Sequence, residues 1–296
     1  MKNAQKSLIS SRLLKLKFFV YLNILIAVVF FFAGCKKEIG SLTNEEVPNA
    51  ATQRSNSSSE KAPNIVVHAG SSIQSAVDAA SPGFLILIEP GVYSEAIVVN
   101  KPNIQLVGSS DGVIIQNPGD EENGITVRGD GDGFVLKNVT VKDFEENGVF
   151  MIHVDNFLLS HVTTIDNGEY GLFPLFCNNG VIEHCTASGH TDTGIYVGQS
   201  TNVGLNFNTA FANVNGIEVE NCSHVTVSKN QSYNNVVGIL VILLPGLTVK
   251  ESSDILIDHN HVYNNNHVNF AEPGGGFEGF VPSGSGILIV GTDQTN

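Results

Sequence analysis

The sequence predicts an all-β chain folded as a parallel β-helix behind an N-terminal export segment. The first observation is a repeat. A glycine followed by an alternating apolar strand recurs at Gly124, Gly148, Gly171, Gly194, Gly216, Gly238 and Gly286, with spacings of 24, 23, 23, 22, 22 and 48. The second is a column in step with it, Leu136, Leu159, Ile182, Leu205, Val227 and Ile257. The third is composition: these strands are β-branched, alternate with period two and break at Gly and Asn. A period near 23 also suits leucine-rich repeats, but neither their consensus nor a helical half is present. Three short strands per turn fill one coil of a β-helix, and coils lie about 4.8 Å apart, so like positions stack. The gap of 48 is either two periods or one period with insertions.

The N-terminus reads as an address. Residues 1–17 are basic and residues 18–34 almost wholly apolar, the n-region and h-region of an export signal. A short membrane-spanning anchor is the other reading. Phe32-Ala33-Gly34-Cys35 resembles a bacterial lipoprotein lipobox, which implies lipidation at Cys35 and a lipid anchor in the membrane. Lys36-Lys37 is not an Asp-type retention signal, which favours the outer membrane. Residues 35–63 form a polar tether, with Ser55-Asn56-Ser57-Ser58-Ser59 its most biased stretch. Residues 64–296 are the β-helix.

The chain has 15 Lys+Arg and 29 Asp+Glu, a net charge of −14. Beyond residue 34, ten bases face 29 acids. That balance excludes nucleic acid as a partner, because phosphate binding needs basic patches. Four Cys in 296 residues do not make a disulfide scaffold. Cys177 and Cys222 share a column two coils apart, too far to bridge, and Cys185 falls at an inward position.

One position after each glycine stand Ile125, Val149, Leu172, Ile195, Ile217, Ile239 and Ile287, and three after it Val127, Met151, Pro174, Val197, Val219, Val241 and Ile289. Both columns face inward. Asn208, Asn230 and Asn260 align at a corner, where their amides can ladder between coils. Residues 71–81 are expected to form a helix covering the first coil. Ser71 and Gln74 make a capping-box pattern, and Ile73, Ala76, Val77 and Ala80 share one face. No such cap follows Gly291, so either the chain is truncated or a partner covers that end.

Ile73-Gln-Ser-Ala-Val-Asp-Ala-Ala80, Pro82-Gly83 and Leu87-Ile-Glu-Pro-Gly-Val-Tyr93 resemble the beginning of pectin-lyase-like right-handed β-helix proteins. Asp192-Thr-Gly-Ile-Tyr-Val-Gly-Gln-Ser200 and Gly216-Ile-Glu-Val-Glu-Asn221 look like a bacterial family of parallel β-helix repeat lipoproteins. The resemblance implies a right-handed parallel β-helix and an exported protein. It implies little about a reaction, because one fold hosts many functions.

Candidate chemistry lies on outward positions. Two after each glycine stand Thr126, Phe150, Phe173, Tyr196, Glu218, Leu240 and Leu288, so Phe150, Phe173 and Tyr196 form an exposed stripe suited to sugar faces unless a loop covers it. Gln199 and Arg128 stand beside it as further substrate contacts. Two before each glycine stand Glu122, Glu146, Glu169 and Asp192, which would either splay into solvent or hold a cation such as Ca2+. Asp130-Gly-Asp132-Gly133 has weak calcium character. Glu218 and Glu220 share a face and read as an acid–base pair or a solvated pair. Asp192 and Gln199 lie near them, with His190 in the preceding loop. Arg128 stands four coils from Glu220, too far to act with it. The Asp-Pro-His-Asp motif expected of an epimerase of this fold class is absent. Asp258-His-Asn-His261 shares only its first residue.

His161 and His184 stack in consecutive coils, and they or His259 and His261 read as corner residues or transition-metal ligands. Leu244–Ser252 and Asn266–Ser285 interrupt the period and would wall the C-terminal end of the groove. The sequence thus points to a cell-envelope lipoprotein that binds, or modifies, a polysaccharide. A protein-interaction module and periplasmic metal handling are the alternatives.

Overall fold

Each coil closes because its corners fall at residues that accept left-handed backbone. Asn138, His161, His184, Phe207, Lys229 and His259 stack at one such corner, all with φ between 52° and 58°. Asn and His accept this region more readily than most residues, whereas Phe207 and Lys229 hold it under the constraint of neighbouring coils. In this computed structural model, residues 62–273 and 276–292 are described. The export segment, Cys35 and most of the tether lie outside them.

All strand pairs are parallel, and they form two sheets. One sheet has 15 strands and covers two faces of the solenoid, because Val135–Lys142 and Leu158–Ile165 run across both. Later coils break at the corner, as Asn178–Glu183 and Thr186–Ser188 do. The other sheet has eight strands: Ile97–Val99, Asn123–Arg128, Asn147–Ile152, Tyr170–Leu175, Thr193–Gly198, Asn215–Glu220, Val237–Ile242 and Ser285–Val290.

The register follows the sequence columns. Ile125, Val149, Leu172, Ile195, Ile217, Ile239 and Ile287 pair in succession. So do Leu136, Leu159, Ile182, Leu205, Val227 and Ile257. Because Ile239 pairs with Ile287, the gap of 48 is one coil carrying insertions. The inward columns are buried until the last described coil, where Ile287 and Ile289 are each 48% exposed.

Buried corners are closed by side-chain ladders. Asn208 N and Nδ2 both donate to Asn230 Oδ1, at 2.8 and 3.0 Å. Asn230 does the same to Asn260. A second ladder, not anticipated from the sequence, runs through Asn213, Asn235 and Asn265. His190 takes the preceding rung: its N–H donates to Asn213 Oδ1 at 3.1 Å, and its ring meets Asn167 O and Thr164 Oγ1. His190 is therefore a core residue, not a neighbour of the outward acids. A third column alternates thiol and hydroxyl, with Cys177 N donating to Ser200 Oγ and Ser200 N to Cys222 Sγ. Cys177, Cys185 and Cys222 are free, and burial pushes each thiol up to about 12.

The helix α1, Ile73–Ala79, buries Ile73, Ala76 and Val77. Its N-cap is Ser72 rather than Ser71, with Ser72 Oγ accepting from Ser75 N. Glu95, from the next coil, accepts from Ile73 N, Gln74 N and Ser72 Oγ. Lys101 Nζ donates to the carbonyls of Val77, Asp78 and Ala80 at the other end. Both ends of the helix dipole are thus met by charge from the coil it covers.

The repeated glycine is a matter of space. A Cβ on Gly216 would lie 2.1 Å from Ser232 Oγ, 2.6 Å from Gly238 O and 2.7 Å from Asn235 Nδ2. Gly216→Ala is expected to cost about 1–3 kcal/mol through overpacking against ladder and neighbouring coil. Gly279→Ala, where a Cβ meets nothing within 4 Å, is expected to be near neutral. Urea unfolding of the two variants measures the difference.

Candidate functional site

The outward face of the eight-stranded sheet divides into an open half and a covered half. In the open half, Phe150 and Phe173 are half-buried, their ring centroids 5.4 Å apart, and Tyr170 stacks on Phe173 at 4.3 Å. In the covered half, residues 266–273 and 276–285 fold back over the sheet. Phe277, Ala271 and Val281 pack with Val214, Val236, Val237, Leu240 and Leu288 in a second apolar cluster outside the coil. Asn269 Nδ2 holds the fold-back by donating to Glu278 O and Val281 O.

The predicted stripe is therefore shorter than its sequence column. Tyr196 points outward, yet it is 5% exposed; its ring meets Phe173 edge-on at 4.7 Å. Glu218 is also buried, at 6%, while Glu220 is half-buried, so the solvated-pair reading is corrected at Glu218. Gln199 is committed to structure: its Oε1 accepts from Thr248 N and Val249 N, pinning the Leu244–Ser252 insertion to the coil. Asn221 ties down the same insertion through Leu244 and Val249. Arg128 is exposed and shares a column with Glu220, but Ile152, Leu175 and Gly198 stand between them.

The acidic column is aligned by backbone hydrogen bonds. Glu146 N donates to Glu122 O, Glu169 N to Glu146 O and Asp192 N to Glu169 O. Burial increases along it: Glu122 is exposed, Glu146 and Glu169 are half-buried, and Asp192 is buried. Among the described residues, no three His, Cys, Asp or Glu side chains come together as metal ligands. The column thus lacks a converged calcium set. Asp132 Oδ1 instead accepts from Asp155 N, a structural rung. His161 and His184 stack face to face at 5.0 Å, while His259 meets Asp258 and His261 meets Tyr263.

At the boundary between the halves sits a buried acid–tyrosine cluster. Thr193 Oγ1 lies 3.0 Å from Asp192 Oδ1 and 2.6 Å from Glu218 Oε2. One hydroxyl has one proton to donate, so one of these two acids carries a proton and donates to the threonine. Tyr170 bonds to Asp192. Asn215 Nδ2 donates to Glu218 Oε2 at 3.1 Å, and Tyr196 O–H to Glu220 Oε1 at 2.6 Å. Burial raises Asp192 well above the usual carboxylate range, with Glu278 adding to it. Burial raises Glu218 likewise, with Asp192 and Glu220 adding. Burial lifts Glu220 to about 7, where it can give or take a proton near neutrality. Tyr170, Thr193, Asn215 and Glu278 were not singled out in the sequence. The first three share the column one before each glycine, so the same period reveals them; Glu278 comes from the insertion.

The pattern of the family described as "Right handed beta helix region" matches residues 123–296, more than half of the chain. The chain belongs to this right-handed β-helix family. Comparison with curated proteins finds no match. Among solved structures, the A-modules of the mannuronan C-5 epimerases AlgE4 and AlgE6 of Azotobacter vinelandii each superpose with a TM-score of 0.63, at 19% and 20% identity. Each likeness covers 75% of this chain. The chain spans less than two thirds of those modules, 64% and 63%. At that identity the likeness is one of fold.

Two groups, Glu220 in the cluster and His190 in the core, make this β-helix sensitive to pH in opposed ways. Glu220 has a folded value above its ordinary 4.5. The native state then binds more protons than the unfolded state between pH 4.5 and about 7, and stability falls as pH rises through that window. His190 is held down to about 4 by burial, so its contribution grows as pH rises from about 4 to 6.5. Glu220→Gln is expected to gain on the parent protein as pH rises from 4.5 to 7. Thermal midpoints of both proteins across that range test the sign.

Proposed function

We propose that this chain is an exported, lipid-anchored protein of the cell envelope, in the outer membrane, whose β-helix binds a polysaccharide along the outer face of the eight-stranded sheet. The observation that carries the reading is the half-buried group of rings Phe150, Tyr170 and Phe173 on the outer face, which adjoins the acid–tyrosine cluster through Tyr196. Half-exposed rings on a rigid sheet suit the apolar faces of sugars at little cost in conformational entropy. Glu220 and Tyr196 stand beside these rings as the pair to move a proton on the bound glycan. The basic and apolar N-terminal segments and Cys35 support the anchor.

The test uses the full chain in mild detergent, incubated with a panel of polysaccharides and scored for retention and for product masses. At least one polymer is expected to be retained, and Phe150→Ala with Phe173→Ala to weaken that retention about tenfold, the equivalent of roughly 1.4 kcal/mol. New product masses that vanish in Glu220→Gln would make the protein an enzyme; retention alone makes it a binding protein. Retention of none overturns the reading and leaves a protein partner. For the anchor, metabolic labelling with a fatty acid is expected to mark the protein and to fail in Cys35→Ala.

A further inference from the structure

We infer that Gly198 is the positioning residue of the Tyr196–Glu220 pair, because it leaves open the outward place through which the phenol reaches the acid. The role rests on the reading above of Tyr196 and Glu220 as a proton-moving pair. Four after each repeated glycine the outward column runs Arg128, Ile152, Leu175, Gly198, Glu220, Ile242 and Val290. Strand pairing sets Leu175 against Gly198 and Gly198 against Glu220. Gly198 is the place in this column with no side chain, and Tyr196, two residues back on the same strand, fills it. A Cβ on Gly198 would fall 2.1 Å from the Tyr196 hydroxyl oxygen, 2.4 Å from its Cε1 and 2.5 Å from its Cζ. Close-packed atoms do not approach so near, so any larger residue at 198 displaces the ring. The backbone of Gly198 is itself fixed, since its carbonyl accepts from Phe176 N at 3.0 Å and from Ser200 Oγ at 2.6 Å. Its φ lies outside the left-handed region, so the demand is for space and not for backbone freedom.

The end of the ring that lies against Gly198 is the end that makes the pair. Tyr196 O–H donates to Glu220 Oε1, one coil on, at 2.6 Å. Phe150 and Phe173 show the alternative. They hold the same outward place as Tyr196 in the two preceding coils, but Ile152 and Leu175 stand where Gly198 does. Both of those rings are half-buried, whereas Tyr196 is 5% exposed. Glu220 is faced by Tyr196, Glu218 and Glu278, and its partner in the next coil, Ile242, is apolar. A donor aimed at a buried carboxylate favours its ionised form, so the phenol offsets part of what burial does to Glu220. Gly198 meets no reacting atom and acts on the acid through the ring.

The test reads the Glu220 carboxyl itself. The full chain in mild detergent, with carbon-13 in its glutamate carboxyls, is titrated by NMR, and the Glu220 signal is the one that Glu220→Gln removes. In the parent protein, Tyr196→Phe is expected to raise the Glu220 midpoint by about one pH unit, roughly a tenfold gain in proton affinity, because it deletes the hydrogen bond and keeps the ring. In a Gly198→Ala background the same substitution is expected to leave the midpoint unchanged, since the hydroxyl is already displaced. Gly180→Ala, which crowds the ring of Phe157 on the other sheet, is expected to keep the full response. A response that survives Gly198→Ala overturns the role, as does a parent protein that does not respond. If Gly180→Ala loses the response equally, general loosening of the solenoid is the cause and the role falls. Should Gly198→Ala fail to fold, stability supplies a second arm. With Tyr196→Ala the ring is gone, and adding Gly198→Ala is expected to leave the urea midpoint close to that of Tyr196→Ala alone; loss of the fold there sinks the idea. No polymer enters these measurements, so a failed positioning role and a failed glycan reading are separate results.

Discussion

Everything in this protein is governed by self-stacking: a side chain in one coil meets its counterpart about 4.8 Å above and below. A position is acceptable only if its residue is a good neighbour to the residue in the same place one coil away. Aliphatic side chains meet this condition inside, and asparagine meets it at buried corners, since its amide donates to the next asparagine's carbonyl while capping a backbone carbonyl. Flat rings meet it outside, as in the stack of Phe211, Tyr233 and Tyr263 with spacings of 5.2 and 5.0 Å. Glycine meets it where the chain passes closest to the next coil. At Gly180 a Cβ would fall 2.0 Å from the ring of Phe157, so the glycine is the complement of a large residue one coil away.

Carboxylates are the residues that meet this condition worst. Stacked acids repel, and burying them costs more. The molecule answers in two ways. Glu122, in the open half, stays in water. Where the insertion closes over the sheet, Asp192 and Glu218 share a threonine hydroxyl and at least one proton, and tyrosine hydroxyls supply further donors. A protonated, hydrogen-bonded acid is tolerated under an apolar cover in a way that a bare carboxylate is not. Retaining such groups lowers stability. A set of groups that weakens the fold is what a binding or reacting site requires.

The solenoid was legible in the sequence because its constraint is periodic. Columns at fixed offsets from each glycine marked the coils and the inward faces, alignment at a corner marked the Asn208–Asn230–Asn260 ladder, and a separate helical period marked the cap over the first coil. Three features escaped for physical reasons. The ladder of Asn213, Asn235 and Asn265 includes His190, which hides the pattern by chemical substitution. Ser72 and Glu95 replace the expected Ser71 box, because a carboxylate from the next coil outcompetes a local cap. The burial of Tyr196 and Glu218 depends on residues outside the repeat, which the alternation within each strand does not report. The sequence placed these side chains on the outward face correctly, but the period gave no sign that Glu278, from an insertion, would stand near enough to raise Glu218 and Glu220.

The landing place of that insertion was nonetheless written in the same columns. Two before each glycine, the series runs Glu122, Glu146, Glu169, Asp192 and then Val214 and Val236. Two after it, the series passes from Tyr196 through Glu218 to Leu240 and Leu288. Both columns turn apolar at nearly the same coil, and the apolar members are those that Phe277, Ala271 and Val281 cover. A change from polar to apolar on an outward column is thus the mark of a covered face. The coil where the change is incomplete, with Asp192, Thr193 and Glu218 still polar at the edge of the cover, is where polar groups are held half out of water. On a rigid solenoid that boundary sets the half-exposed rings against the low dielectric of the covered half, and it is there that burial lifts a carboxylate, Glu220, to about 7.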